Sequence, residues 1–264
     1  LCTTATPINC AQTISGTTVG ATIDAVPTCV TTLNTAPGVW YTFVGNGVSN
    51  TLSLCGSAYD TKIGVFSGTC AGLVCVTGND DFCGLGSQVT FTPVTGTTYY
   101  VLVTGFGTAA GSFTLARTCA TPANDLCTGA VPINCGQTII ASTSGANLDA
   151  VATCGTTLNT APGVWYSFAG DGFSTTLSLC GSGFDTKIGV FSGTCTGLVC
   201  VTGNDDFCSL QSQVTFTSVV GTNYFVLVTG FATNSGAFTL ARTCVLPPCL
   251  PTTITPAAPT ICEG

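Results

Sequence analysis

The sequence contains no histidine and no methionine, and only four of its 264 residues are lysine or arginine. Histidine is the side chain that most often transfers protons near neutral pH, so its absence leaves acid–base chemistry to the carboxylates. Four basic residues against eleven acidic ones give a net charge of -7. With so little positive charge to neutralise phosphates, we expect no nucleic-acid partner.

Long apolar runs are also missing, although 45% of the residues are hydrophobic. No segment reaches the roughly 18 to 20 apolar residues that a spanning helix needs, so we expect no membrane insertion. Disordered chains combine low hydrophobicity with high charge, and this chain has the opposite composition. It is therefore expected to fold around apolar cores.

What the sequence has in abundance is cysteine, with 18 residues. Thiols at this density are typical of oxidising compartments, so the sequence predicts a secreted or cell-surface protein. Zinc and redox sites are the alternative use of cysteine. No CxxC pair and no histidine is available to build one, which favours structural disulfides.

The chain is a tandem duplication. A shift of 125 residues superposes residues 1–119 on residues 126–244 without a gap, and 90 of those 119 positions are identical. The sequence predicts one domain for each copy, joined by a linker at residues 120–125. The proline-rich residues 245–264 are interpreted as a further linker, leading into another domain or an assembly segment.

Within each copy, apolar residues alternate with small or polar ones at a period of two. This pattern, interrupted by glycine turns, predicts many short antiparallel strands and no helix. The fold class is therefore all-β, as tandem disulfide-stapled β-sandwich domains of a jelly-roll-like kind. Trp40 and Trp165 lie in such strands and are expected to pack in the core rather than to stack on sugars. The predicted strand segments of the first copy are 40–43, 51–55, 62–66, 88–94, 99–104 and 112–116.

Eight cysteines recur in each copy, which predicts four bridges per domain, although many pairings are possible. The expected pairs are Cys70 with Cys75, Cys55 with Cys83, Cys10 with Cys29, and Cys2 with Cys119. Cys249 and Cys262 are expected to pair with each other or with a following domain.

The motif VTGNDDFC occurs in both copies and concentrates the scarce charge. If Cys55 bonds Cys83, Asp60 lies beside Asn79, Asp80 and Asp81, and hard oxygen ligands without histidine suit a structural Ca²⁺. The other interpretation is that these side chains only close turns. The corresponding candidate ligands of the second copy are Asp185, Asn204, Asp205 and Asp206.

Catalysis would depend on the aspartates alone. Asp60 and Asp81 are the pair from which a glycosidase-like site would be built. Such a pair, duplicated in two small disulfide-rich domains, would be unusual. The sequence therefore predicts that the chain is not an enzyme.

Several segments carry a family resemblance, above all YDTKIGVFSG and GNDDFC. Nearly all of both copies resembles the repeated β-sandwich modules of surface proteins from bacteria with type IX secretion, which are similar to pre-peptidase C-terminal domains. The resemblance implies calcium at the acidic turns and a role in stalks, adhesion or polysaccharide binding. It also implies that the tail begins an immunoglobulin-like module.

These observations predict an extracellular structural or adhesive segment of a long surface appendage or filament. Its partners would be other copies, neighbouring modules of the same chain, or surface polysaccharide. The alternative is a carbohydrate-binding accessory module of a larger secreted enzyme. The aromatic residues available to contact a sugar are Phe106, Phe231, Tyr59 and Phe184.

Overall fold

The computed structural model describes residues 1–246. Its elements are nearly all strands, with two single-turn 3-10 helices at Cys2–Thr4 and Cys127–Gly129. None of the helices within the described residues is long and apolar enough to cross a membrane. The predicted fold class is confirmed, because the chain forms two tandem all-β domains of a sandwich type.

The first domain has two sheets, with the strand orders β1-β3-β8-β5-β6 and β2-β9-β4-β7. Neighbouring strands are antiparallel except β1 and β3, which are parallel. The strands are β1 Thr6–Pro7, β2 Gln12–Thr17, β3 Val39–Val44, β4 Asn50–Ser53, β5 Thr61–Thr69, β6 Gly72–Asn79, β7 Gln88–Phe91, β8 Thr98–Gly105 and β9 Ser112–Cys119.

The second domain repeats this arrangement, with the orders β10-β12-β17-β14-β15 and β11-β18-β13-β16. Its strands are β10 Val131–Pro132, β11 Thr138–Ser142, β12 Val164–Ala169, β13 Ser174–Ser178, β14 Thr186–Thr194, β15 Gly197–Asn204, β16 Gln213–Thr217, β17 Asn223–Gly230 and β18 Ala237–Val245.

The main core lies between the two sheets of each domain. In the first domain β5 and β8 contribute Val65 and Val101, while β4 and β9 contribute Leu52 and Leu115, all fully buried. Because alternate residues of a strand face opposite sides, the outward residues of the five-stranded sheet need a second cover. That cover is the irregular segment 18–38.

Segment 18–38 packs over the outer face of the five-stranded sheet. Leu33 from this segment contacts Trp40, Phe66 and Leu102, which are nearly inaccessible to solvent. The indole N–H of Trp40 donates to Asp24 Oδ2 at 3.0 Å. The prediction that the tryptophans belong to the core is therefore confirmed, since Trp165 is 1% exposed in the equivalent place.

The disulfides support this architecture, but only one predicted pair per domain is correct, namely Cys55–Cys83 with its copy Cys180–Cys208. The predicted pairs Cys70 with Cys75, Cys10 with Cys29 and Cys2 with Cys119 are wrong. The observed bridges of the first domain are Cys2–Cys70, Cys10–Cys119, Cys29–Cys75 and Cys55–Cys83. Those of the second are Cys127–Cys195, Cys135–Cys244, Cys154–Cys200 and Cys180–Cys208.

Strand geometry explains the errors. Residues 72–75 are extended, so Cys70 and Cys75 are separated by roughly 10 Å or more, beyond the reach of one disulfide. Cys10 precedes β2, and β2 pairs with β9 from Gln12 opposite Arg117, which brings Cys10 next to Cys119. Cys29 bonds Cys75 of β6 and so fastens segment 18–38 to that strand. Cys249 and Cys262 lie outside the described residues.

The linker is attached to both domains. The backbone N–H of Ala120 donates to Ser49 O of the first domain at 2.8 Å. At the other end, Asn124 exchanges hydrogen bonds of 2.8 and 2.9 Å with the backbone of Trp165. A short connector held at both ends fixes how the second domain follows the first.

Candidate functional site

The acidic cluster of the first domain forms where two neighbouring strands meet their loops. Asp60 directly precedes β5, and Asp80 and Asp81 directly follow β6. The Cys55–Cys83 disulfide joins the two loops, as the sequence predicted. One oxygen of each carboxylate lies within 4.8 Å of the others. The second domain repeats the cluster with Asp185, Asp205 and Asp206.

Few protein groups neutralise these carboxylates. Lys62 Nζ lies 3.2 Å from Asp80 Oδ2, and the hydroxyl of Thr31 donates to the same oxygen at 3.5 Å. The Oδ1 atoms of Asp60 and Asp80 are buried and have no hydrogen-bond partner among residues 1–246. Lys187 and Thr156 contact Asp205 in the same way in the second domain, at 3.3 and 3.4 Å.

Asn79 has a different role from the aspartates. Its amide oxygen accepts a hydrogen bond from the backbone N–H of Gln88 at 3.1 Å, which ties the end of β6 to the start of β7. Asn204 does the same for Gln213 at 3.2 Å. The structure thus brings the three aspartates together and uses the asparagine to shape the loop.

The electrostatics of the cluster favour protonation of one of its members. Burial raises the pKa of Asp60, the negative charges of Asp81 and Asp80 raise it further, and Lys62 lowers it. The pKa of Asp185 is raised for the same reasons. Without a cation, each cluster therefore carries a destabilising charge at neutral pH.

This shift predicts an unusual pH dependence in the presence of EDTA. A carboxyl whose pKa is higher in the folded than in the unfolded state makes folding less favourable as the pH rises through that interval. The melting temperature should therefore rise as the pH falls from 7 towards about 4, the ordinary range of an aspartate. Burial raises the pKa of Asp149 to about 6, which acts in the same direction. The difference in melting temperature between the wild type and Asp60→Asn/Asp185→Asn, followed across this pH range, isolates the contribution of the clusters. Identical curves of melting temperature against pH would contradict the prediction.

The four aromatic residues singled out in the sequence divide into two pairs. Phe106 and Phe231 are 54% and 47% exposed, with Lys62 and Lys187 over their rings at 4.6 and 4.8 Å. Tyr59 and Phe184 are instead half-buried and pack against the cores. The hydroxyl of Tyr59 accepts from Thr18 at 3.1 Å, so this residue closes the end of the sandwich.

Two further exposed side chains beside the cluster were not predicted. Phe82 and Leu85 follow Asp81 and are 64% and 61% exposed. The backbone N–H of Thr61 donates to Leu85 O at 3.0 Å, and the backbone N–H of Phe106 donates to Asp60 O at 3.1 Å. Leu85 and Phe106 therefore lie beside the acidic cluster. We call Phe82, Leu85 and Phe106 the apolar rim. Its copy in the second domain consists of Phe207, Leu210 and Phe231.

A third group of potential ligands is not a metal site. Cys135, Asp171 and Cys244 lie close together, but the two sulfurs form a disulfide and cannot act as thiolates. Asp171 contacts Arg242, with Oδ2 at 3.1 Å from Nη2. This group is a structural ion pair beside a disulfide.

A cavity of about 820 Å³ lies between the two domains, next to the linker. Phe43 and Arg117 line it from the first domain, and Ser144 and Phe184 line it from the second. The amide of Asn46 donates across the boundary to Ser144 O at 3.3 Å. The sequence did not predict this cavity, because both domains and the linker are needed to form it.

Comparison with known proteins gives one family match. The family model described as galactose binding domain-like and associated with type IX secretion matches residues 1–113 and 123–239. No curated protein matches the chain.

The solved structures that match the chain are distant. The CUB1-EGF-CUB2 domains of rat MASP-1 share 9% identity, with 90% of this chain and 99% of that chain covered and a TM-score of 0.24. Allantoicase from Saccharomyces cerevisiae shares 9% identity, with 78% and 77% covered and a TM-score of 0.27. The M60 catalytic domain with two CBM51 domains from Clostridium perfringens ZmpB shares 10%, with 79% and 33% covered and a TM-score of 0.19. These overlaps add nothing about function to the family match.

Proposed function

Because the chain belongs to the galactose binding domain-like family associated with type IX secretion, we propose that it is an extracellular, non-catalytic module that attaches to carbohydrate. The secretion-associated family and the eight disulfides are consistent with a secreted or surface protein. The tandem arrangement supplies two equivalent sites per chain.

The observation that carries the proposal is the apolar rim beside the acidic cluster. Monomeric proteins seldom expose large apolar patches without a use, and here Phe82, Leu85 and Phe106 are all exposed beside the cluster, with equivalents in the second domain. An aromatic ring offers an apolar face to the C–H groups of a sugar. The neighbouring carboxylates, with a bound cation, offer polar contacts to its hydroxyls.

Calcium is the cation that these residues suit. Three carboxylates and one ammonium leave two negative charges uncompensated in each cluster, and the ligand atoms are hard oxygens. The buried, unpartnered Oδ1 atoms of Asp60 and Asp80 supply a reason for a cation to bind there. Asp60, Asp80 and Asp81 would hold it, with Asn79 shaping the loop, and the ion would fix the loops that carry the rim.

The same residues argue against catalysis. The chain has no histidine, and Lys62 is held between Asp80, the carbonyl of Thr32 and the ring of Phe106. The cysteines of the described domains are all in disulfides. Nucleophiles and general bases other than the clustered aspartates are thus missing from this site.

Glycan arrays probed with the whole chain in the presence of calcium test the proposal. Replacing Phe82, Phe106, Phe207 and Phe231 by alanine should reduce retention on the bound glycans by about tenfold or more, since loss of two equivalent sites also removes avidity. The matched control is Val94→Ala/Val219→Ala, which removes exposed side chains away from the rims. A wild-type chain that binds no glycan, or a quadruple variant that binds as well as the control, would refute the proposal.

The exposed rims also favour a second function, association between copies of the chain in a surface appendage. Rims at both domains give each chain two apolar contact surfaces, as assembly in a filament needs. Small-angle scattering over a concentration series should then show growth that the quadruple phenylalanine variant abolishes. A wild-type chain that stays monomeric at every concentration would remove this second function and leave the first intact.

A further inference from the structure

Arg117 differs from the other three basic residues of the chain. Lys62, Lys187 and Arg242 each lie within 3.3 Å of a carboxylate oxygen. Arg117 has no carboxylate partner among residues 1–246, although it is only 3% exposed. A buried cation normally has a paired anion, so this arginine needs an explanation.

The second domain shows what the missing partner would be. Arg117 and Arg242 occupy equivalent positions, each stacked on a phenylalanine at 3.9 or 3.8 Å and each donating Nη1 to a backbone carbonyl. Arg242 Nη2 also contacts the carboxylate of Asp171. The residue equivalent to Asp171 in the first domain is Asn46, which carries no charge.

A second substitution accompanies the first. Arg117 Nε donates to Asn50 Oδ1 at 2.8 Å, and in the second domain the equivalent residue is Thr175. Asn50 satisfies one nitrogen but supplies no charge, and Arg117 Nη2 remains buried without a hydrogen-bond partner. Burial lowers the pKa of Arg117 to about 10, in keeping with a cation that lacks a counter-ion.

Arg117 also differs from Arg242 in its position relative to the cavity between the domains. It lines the cavity between the domains, whereas Asp171 and Arg242 do not. The cavity has the volume of a small-molecule site and is lined by the ring of Phe43 and by polar side chains that include Thr121, Ser144 and Ser235. The linker, held by hydrogen bonds on both sides, keeps the cavity walls in place.

We propose that the cavity between the domains is a second binding site, and that it takes a carboxylated sugar whose carboxylate pairs with Arg117. Arginine forms strong charge-assisted hydrogen bonds with carboxylates, and the ligand would supply the anion that Asp171 supplies in the second domain. That the ligand is a sugar rests on the proposed function. The preference for an anion rests on Arg117 alone.

Titration calorimetry of the whole chain with digalacturonic acid and with neutral digalactose tests the inference. The acid should bind about tenfold or more tightly than the neutral sugar. Asn46→Ala/Asn50→Thr removes the hydrogen bond from Asn46 to Ser144 O without adding a charge and should leave the affinity for the acid within about twofold of the wild type. Asn46→Asp/Asn50→Thr places at this position the carboxylate that pairs with the equivalent arginine in the second domain. This variant should keep its fold by circular dichroism and lose the affinity for the acid by about tenfold or more.

The matched control is Asp171→Asn/Thr175→Asn, which alters the equivalent arginine away from the cavity and should leave the affinity for the acid within about twofold of the wild type. Equal affinity for acid and neutral sugar, or an unchanged affinity in the Asn46→Asp/Asn50→Thr variant, overturns the inference. Sulfate that binds as tightly as the acid overturns the sugar assignment and leaves an adventitious ion only. On the array, the rim proposal is judged on neutral glycans, which the cavity site is not expected to favour, and the rim variants leave Arg117 unaltered, so the two proposals fail separately.

Discussion

Replacing Cys29 and Cys75 by alanine is expected to lower the free energy of unfolding of the first domain by about 4 to 6 kcal/mol. The bridge closes a loop with a sequence separation of 46, which by the chain-entropy relation contributes about 4 kcal/mol. It also fastens segment 18–38 over Trp40, and a loosened cover exposes apolar surface that is now buried.

Guanidinium denaturation followed by tryptophan fluorescence measures this loss. Trp40 reports on the first domain, and Trp165 in the unaltered second domain serves as an internal reference. The control is Cys55→Ala/Cys83→Ala, whose bridge joins exposed loops with a separation of 28 and should cost about 3.6 kcal/mol. If replacing Cys29 and Cys75 lowers the free energy of unfolding by less than this control does, segment 18–38 is held over the sheet by packing alone.

The second large effect concerns calcium. Calcium at about a hundred times its dissociation constant should stabilise each domain by about 2.7 kcal/mol, because it binds only the folded state. For domains of this size that corresponds to a rise of about 10 °C in the melting temperature over an EDTA-treated sample. Magnesium should substitute poorly, since it retains its water and demands an octahedral site.

The control variant for calcium is Asp81→Asn/Asp206→Asn. These are the most exposed carboxylates of the clusters, so their removal should cost little stability in EDTA while the response to calcium shrinks. Wild-type protein that melts at the same temperature in EDTA and in calcium would count decisively against the metal site.

Much of the strand layout was predictable from the period-two pattern, and the reasons for the failures are specific. The six predicted segments of the first copy fall on β3, β4, β5, β7, β8 and β9. β6 was missed because its exposed valines, Val74 and Val76, hide the alternation that marks a half-buried strand. β2 was missed because Ser15, Gly16 and Thr17 carry little hydrophobic signal.

The candidate sites, like the strands, were predictable only in part. The three aspartates were predicted to converge from one correct disulfide, since Cys55 and Cys83 flank them directly. The pairings of Cys10 and Cys29 depend on which strands are neighbours, and sequence spacing carries no such information. The asymmetry between Asn46 and Asp171 is visible in the aligned copies. Its meaning appears only when Arg117 and Arg242 are seen beside them.

The Cys10–Cys119 and Cys135–Cys244 bridges have a mechanical consequence. Tension applied along the chain passes from the tenth residue of a copy directly to its last cysteine through a covalent bond, so most of each domain carries no load. Between the two bridges only residues 120–134 are left to stretch, a contour of about 55 Å. Under force the tandem pair would therefore behave as two inextensible domains joined by a short extensible segment. It would lengthen further only when a disulfide is reduced.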